Sequence, residues 1–237
     1  MTLLTIVQDA MSELNLPFPS SIINNSNTTV RQFKALSNAS GKRMMKRYDF
    51  EELIREFTFT TVAAESQGDI DTIIGSDYDR LESLTLWNRD KTRQLRGPFT
   101  PQDWQRDKGS VSTTVFDAFR FRGGKVLFTP TPAAGETVAG EYVSNEWVLA
   151  TDGTTTKPKF TVDSDTSRID EDLMTLDIKW RWLRAHGFEY AEEKVEFETR
   201  FSEETGADKS SRVIDLRSTT GMIDANRVNT PDGGFGQ

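Results

Sequence analysis

The sequence predicts an α+β fold: a helical bundle, made of N-terminal helices and a long C-terminal helix, joined to an antiparallel β domain and an extended C-terminal arm. Three observations predict it. Apolar residues recur at helical spacing over residues 1–57, they alternate at period two over much of 111–165, and helical spacing returns over 167–204. The expected boundaries are a helical region with short strands at 1–110, a β domain at 111–165, a returning long helix at 166–204 and an arm at 205–237.

LLTIVQDAMSEL at 3–14 places Leu3, Leu4, Val7, Met11 and Leu14 on one helical face, and Pro17 and Pro19 stop that helix. The next helix opens at Thr28 or Thr29, either of which can cap it, and carries Val30, Phe33 and Leu36 on its stripe. Gly41 reads as a break or C-cap. YDFEELIREF reads as a third, short helix with Phe50, Leu53, Ile54 and Phe57 inward. TFTTVAA, rich in Thr and Val, reads as a strand, as does the run Ile70–Ile74, and a further short element ends at Leu86–Trp87.

In FRFRGGKVLF two alternating runs flank Gly123-Gly124, a strong hairpin signal. TPTPAAGE is a turn, TVAGEYVSNEWV a second alternating run, and ATDGTTTKPKF a polar loop leading to an edge strand. Beyond it, Leu173, Leu176, Trp180, Leu183, Gly187 and Tyr190 form a seam on one face of a long helix. Asp170, Glu171 and Asp172 suit its positive dipole end, and Gly187 marks a kink or interruption. Trp180 and Trp182, two apart on a helix, point to different faces. One belongs to the seam, so Trp182, with Lys179 and Arg181, is expected nearer a neighbouring subunit. Past residue 205 no period is sustained. Val213, Ile214, Leu216, Met222, Ile223, Val228 and Phe235 come singly or in short groups, a spacing that suits pockets strung along a partner.

The chain is acidic, with net charge −8, which argues against tight wrapping of nucleic acid. It has no cysteine and one histidine, His186, which removes disulfides, thiolate sites and multi-histidine metal centres. His186 has no G-x-S-x-G elbow to serve and reads as structural or surface. DEDL and AEEKVEFE read as helix ends and solvated faces, and FRGGK lacks the spacing of a phosphate-binding loop. No run approaches a membrane span, and MTLLTIVQDAMSEL lacks a basic n-region and cleavage site, so assembly in the cytosol is expected. Trp87 and Trp104 bracket a polar stretch stiffened by Pro98 and Pro101. They are expected to pin the 88–103 loop at both ends.

Taken in order, RQFKALSNASGKRMMKRYDFEELIREFTFTT, LWNRD…RGPFTPQDWQ, FRFRGGKVLFTPTPAAGETVAGEYVSNEWV and DLMTLDIKWRWLRAHGFEYAEE resemble the head-to-tail adaptor (connector) proteins of tailed bacteriophages, particularly the short-tailed ones. The segment ESQGDIDTIIGSDYDRLE departs from the pattern in lacking a proline-bearing turn. The resemblance implies a structural virion protein of the head–tail interface, assembled in the host cytoplasm, with no catalysis, cofactor, metal or membrane. It implies a homo-oligomeric ring, usually dodecameric, that docks on the portal protein and carries a tail or nozzle protein. DNA passes through its channel without specific binding, and a chain terminus reaches onto neighbours; from the spacing of its apolar residues, the C-terminal arm is expected to dock on the portal. The rival reading is a β-sandwich that binds carbohydrate or a host surface, with Trp104 or Trp147 exposed; a hydrolase using carboxylates is the weaker third.

Overall fold

The computed structural model of the chain describes residues 2–109 and 117–208. Helix α1 (Leu3–Glu13) opens on Thr2, whose side chain accepts from the Thr5 N–H, and buries Leu3, Ile6, Val7, Ala10 and Met11. Helix α2 (Thr28–Arg47) is capped by Asn27 rather than by Thr28 or Thr29. The Asn27 side-chain oxygen accepts from the Thr29 N–H at 2.8 Å. Gly41 neither breaks nor ends α2. It is buried beneath the Trp147 indole, where an added Cβ would lie 2.3 Å from ring carbons. The glycine is there for a close approach, not for a turn.

The third expected helix is absent. Glu51–Leu53 make a single 3-10 turn, and the chain then extends as β1 (Ile54–Thr60). The same apolar spacing serves both conformations at short range, and tertiary pairing decides between them. Phe50 and Leu53 enter the helical core, and β1 then pairs with a later strand from Ile54↔Val143 to Thr60↔Thr137. The next expectation also changes. After β2 (Ser66–Asp69), Ile70–Ile73 form one helical turn, α3, not a strand. The Ile74 N–H closes it on the Ile70 carbonyl at 2.8 Å, and this packs Ile70, Ile73 and Ile74 together on the β core.

Short strands β3 (Tyr78–Leu81), β4 (Trp87–Asn88) and β5 (Arg93–Gln94) come next, then helix α4 (Pro101–Gly109). The stretch expected as one stiff loop is therefore a small hairpin plus a helix. Thr100 caps α4, its hydroxyl accepting from the Asp103 N–H at 3.2 Å, and Pro101 takes the first helical position, where no N–H is needed.

Strands β6 (Ala118–Arg122) and β7 (Lys125–Thr129) form the expected hairpin. Arg122 pairs with Lys125, and both turn glycines have positive φ, 60° and 73°. Strand β8 (Thr137–Ser144) is central to a five-stranded antiparallel sheet, with β1 on one edge and β3 and β4 on the other. Strand β7 lies between β2 and β6 in a second sheet. Strands β9 (Val148–Leu149), β10 (Thr156–Lys157) and β11 (Thr166–Ser167) make a third, with β9 in the middle.

Helix α5 (Glu171–His186) is capped by Asp170, which accepts from the Leu173 N–H at 3.0 Å. It ends at Gly187 in the left-handed conformation, φ 74°, so the expected long helix is two. Helix α6 (Ala191–Asp208) returns antiparallel: Trp180 meets Tyr190 and Phe197, and Asp172 lies 4.0 Å from Arg200. The helix carries through Asp208, past the point where the arm was expected to begin.

Two cores result. The helical core gathers α1, α2, α5 and α6 with Trp147, Val148 and Phe160. The β core gathers Phe57, Leu86, Phe119, Phe128, Val138 and Tyr142 with Ile74. Strand β8 serves both, giving Val143 to the first and Val138 and Tyr142 to the second.

Candidate functional site

The two cores meet at a polar joint. Asp77 is buried beside β3, and three donors converge on its carboxylate. The Arg55 guanidinium donates at 2.7 Å, the Tyr142 hydroxyl at 2.8 Å and the Ser144 hydroxyl at 2.6 Å. Arg55 also donates to Thr156 at 2.8 Å, which ties in the small β9 sheet. Burial, and then the hydrogen bond to Asp77, push the Tyr142 hydroxyl up to about 12. A buried carboxylate held by three donors is a fixed structural anchor.

Arg80 makes a second link. It donates to Asp79 at 2.7 Å, to the Met45 carbonyl at 2.8 Å and to the Tyr48 carbonyl at 3.2 Å, and also grips Asp49. A cation is thereby set on the exposed carbonyls at the α2 C-terminus. A third anchor lies under the N-terminus. Asp165 accepts from Lys157 at 2.9 Å and from the Thr161 and Val162 N–H groups at 2.8 and 2.9 Å. Burial opposes its ionisation, but these donors outweigh it and hold the carboxyl below the usual range. The Leu3 N–H donates to the Asp165 carbonyl at 2.8 Å, so this loop also fixes the start of α1.

His186 is exposed at the end of α5. Its ring stacks on Trp182 at 4.1 Å, with Nδ1 3.0 Å from the Trp182 carbonyl oxygen. Among the described residues no group of His, Asp and Glu side chains is placed to hold a metal ion, and no helix is long and apolar enough to cross a membrane.

The residues singled out in the sequence fare differently. Trp104 is wholly buried on α4, and Trp87 is half-buried on β4. Trp182 is not on an outward face. It is 8% exposed, stacked against Phe33 and Phe188, because α5 is enclosed by α1, α2 and α6 and buries Met174, Ile178 and Trp182 as a second row beside the seam. Arg181 and Lys179 are engaged within the chain as well, with Asp177 at 2.7 Å and Glu13 at 3.0 Å. Val213, Ile214, Leu216, Met222, Ile223, Val228 and Phe235 lie outside the described residues. Trp147, like Trp104, is 0% exposed, so neither indole supplies the open stacking platform that a carbohydrate module of the expected kind requires.

What the structure does present is two helix faces of opposite charge. Helix α2 carries Arg31, Lys34, Lys42, Arg43, Lys46 and Arg47 and no acidic residue. Helix α6 sets Glu192, Glu193, Glu196, Glu198, Glu203 and Glu204 against Lys194 and Arg200. They touch at one end, where Arg47 donates to Glu198 at 3.0 Å and holds that carboxyl below its ordinary value. The sequence shows both charge sets, but a charged helix face reads as ordinary solvated surface until its neighbours are known.

A family model described as SU10 adaptor protein matches residues 1–223. No curated protein matches the chain.

Proposed function

Because the chain belongs to the SU10 adaptor protein family, and is thus a structural head-to-tail adaptor of a phage virion, we propose that it works as a ring. In this reading copies of the chain close side by side, docking on the portal above and carrying a tail or nozzle protein below. The ring is dodecameric and lines the channel through which DNA passes. The family match over 1–223 is the observation that carries the reading. The fold is compatible with it: two cores locked by Asp77 and Arg80 make a stiff block rather than a hinged one. A stiff subunit suits a part that must transmit position between two larger assemblies.

The net charge of −8 supports the passive role toward DNA, since a channel wall of like sign repels the phosphate backbone and does not hold it. Residues 209–237 come directly after α6 and supply the segment that reaches the portal, through Val213, Ile214, Leu216, Met222, Ile223, Val228 and Phe235. No catalytic step is assigned to the chain.

The test is assembly on the portal protein of the same phage. Mixed with purified portal, the chain is expected to co-sediment as one species with a fixed ratio of adaptor to portal, and electron microscopy of that species should show a ring beneath the portal. A chain that stays separate from the portal at high concentration would refute the reading.

A further inference from the structure

We propose that neighbouring copies of this chain contact each other through the basic outer face of α2 on one copy and the acidic outer face of α6 on the next. This rests on the ring reading above and names the surfaces that would close the ring.

The α2 face is built from Arg31, Ala35, Lys42 and Arg43, all exposed, on the side away from Val30, Phe33, Gly41 and Met44. Lys46 and Arg47 find carboxylates within the chain, in Asp79 and Glu198. Arg31, Lys42 and Arg43 form no ion pair with any described residue. The α6 face is built from Glu192, Val195, Glu196, Thr199, Ser202 and Glu203, opposite the buried Phe197 and Phe201. Val195 is 65% exposed at its centre. Among the described residues the ion pair of this face is Glu203 with Arg200 at 3.8 Å, and Glu196 adds to the field that favours the charged form of Lys179.

The two faces match in spacing as well as in sign. Arg31 and Lys42 are eleven positions apart, and so are Glu192 and Glu203. At about 1.5 Å per residue both charge pairs lie about 16 Å apart along their helices. Ala35 sits between the two cations and leaves room for the exposed Val195 between the two carboxylates. The internal contact of Arg47 with Glu198 shows that an α2 cation and an α6 carboxylate reach hydrogen-bonding distance when the helices come together.

The contact joins two different faces of one chain. Such a contact is heterologous, and repeated head to tail it generates a ring when the rotation closes. A single exposed ion pair contributes little, so the face works through several pairs at once and weakens with salt.

The experiment uses the full chain in two charge-reversed forms. One carries Arg31→Glu and Lys42→Glu; the other carries Glu192→Lys and Glu203→Lys. Circular dichroism establishes that each is folded, and sedimentation velocity measures assembly at low and high salt, alone and on the portal. Wild type is expected to assemble and to lose assembly as salt rises. Each variant alone should assemble at least tenfold more weakly, because each then presents like charges on both faces. An equimolar mixture should recover assembly, since the two forms alternate with opposite charges at every contact.

Variants that assemble as wild type does, or a mixture that fails to recover, would overturn the α2–α6 contact while leaving the ring reading intact. Wild type that never self-associates, alone or on the portal, would overturn both. A mobility shift with duplex DNA that is lost in the Arg31→Glu, Lys42→Glu form, with assembly unchanged, would instead make α2 a nucleic-acid face and overturn the contact between copies.

Discussion

Gly41 and Tyr142 show how much a single position depends on what lies across from it. In an open helix, Gly to Ala stabilises by about 1 kcal/mol. At Gly41 the new methyl would lie 2.3 Å from the Trp147 ring, and Trp147 is itself fully buried and packed edge-on against Phe160 at 5.0 Å. The indole cannot retreat without opening the helical core. Gly41→Ala should therefore lose about 1–3 kcal/mol, as overpacking does, where helix propensity alone predicts a gain; urea denaturation reads the sign. The sequence marks Gly41 as unusual in a helical run, but its partner lies 106 residues away, just after β8, and nothing local points to it. Trp182 is the converse case: its spacing from Trp180 places it on another face correctly, but the enclosure of that face by α2 is a tertiary fact. For Tyr142 the consequence is a pH dependence. Its folded value is about 12, against about 10 for an unperturbed tyrosine. The protonated hydroxyl contributes stability that is full below pH 10 and is lost as pH rises from there through about 12, because only the unfolded chain ionises readily in that window. Tyr78 is shifted in the same direction by burial, so Tyr142→Phe should flatten part of the alkaline loss, not all of it. Stability measured on either side of the window, with tyrosinate absorbance tracked in parallel, checks the sign; an unchanged slope would detach Tyr142 from it.

Elements whose ends carry local chemistry were legible, and those decided by pairing were not. The β6–β7 hairpin is set by two glycines with positive φ between alternating runs, and α1 by its apolar spacing. Helix α4 had a local signature too, Thr100-Pro101-Gln102-Asp103, a cap and then proline at the first turn, which the polar composition of the stretch concealed. Residues 50–60 carried no such signal. Phe50, Leu53, Ile54 and Phe57 satisfy a helix, and the strand wins because β8 offers an unbroken partner from Val143 to Thr137. Caps also give the cleanest element-scale measurement. Asp170 accepts the Leu173 N–H at the positive end of α5, the helix against which α1, α2 and α6 all pack. Asp170→Ala should cost about 1 kcal/mol, and Asp170→Asn, which keeps an acceptor, should recover most of it. Equal losses in thermal melting for the two would mean that charge, not the cap, is what matters there.

At the scale of the molecule, the joint at Asp77 and Arg80 ties a helical core to a β core, and among the described residues everything these cores bury comes before residue 202. Among the described residues Phe201 is the last in the hydrophobic core, and beyond it the Thr205 carbonyl accepts from the Tyr48 hydroxyl at 3.0 Å. Among the described residues, both cores and both links between them are therefore complete by Asp208. That separates stability from attachment in a way one truncation can test. A chain ending at Asp208 should show the melting temperature and alkaline titration of the full chain, since it keeps every one of these contacts. If residues 209–237 are the segment that meets the portal, the same chain should lose portal binding by orders of magnitude. Ordering a segment costs about 1–2 kcal/mol per backbone residue, and only apolar anchors such as Val213, Ile214, Leu216 and Phe235 could offset it. Replacing Val213, Ile214 and Leu216 with Ser in the full-length chain should reproduce most of that loss without shifting the melt. A truncated chain that binds the portal as tightly as the full one would move the attachment onto the folded block, and the faces of α2 and α6 would then be the first surfaces to test for it.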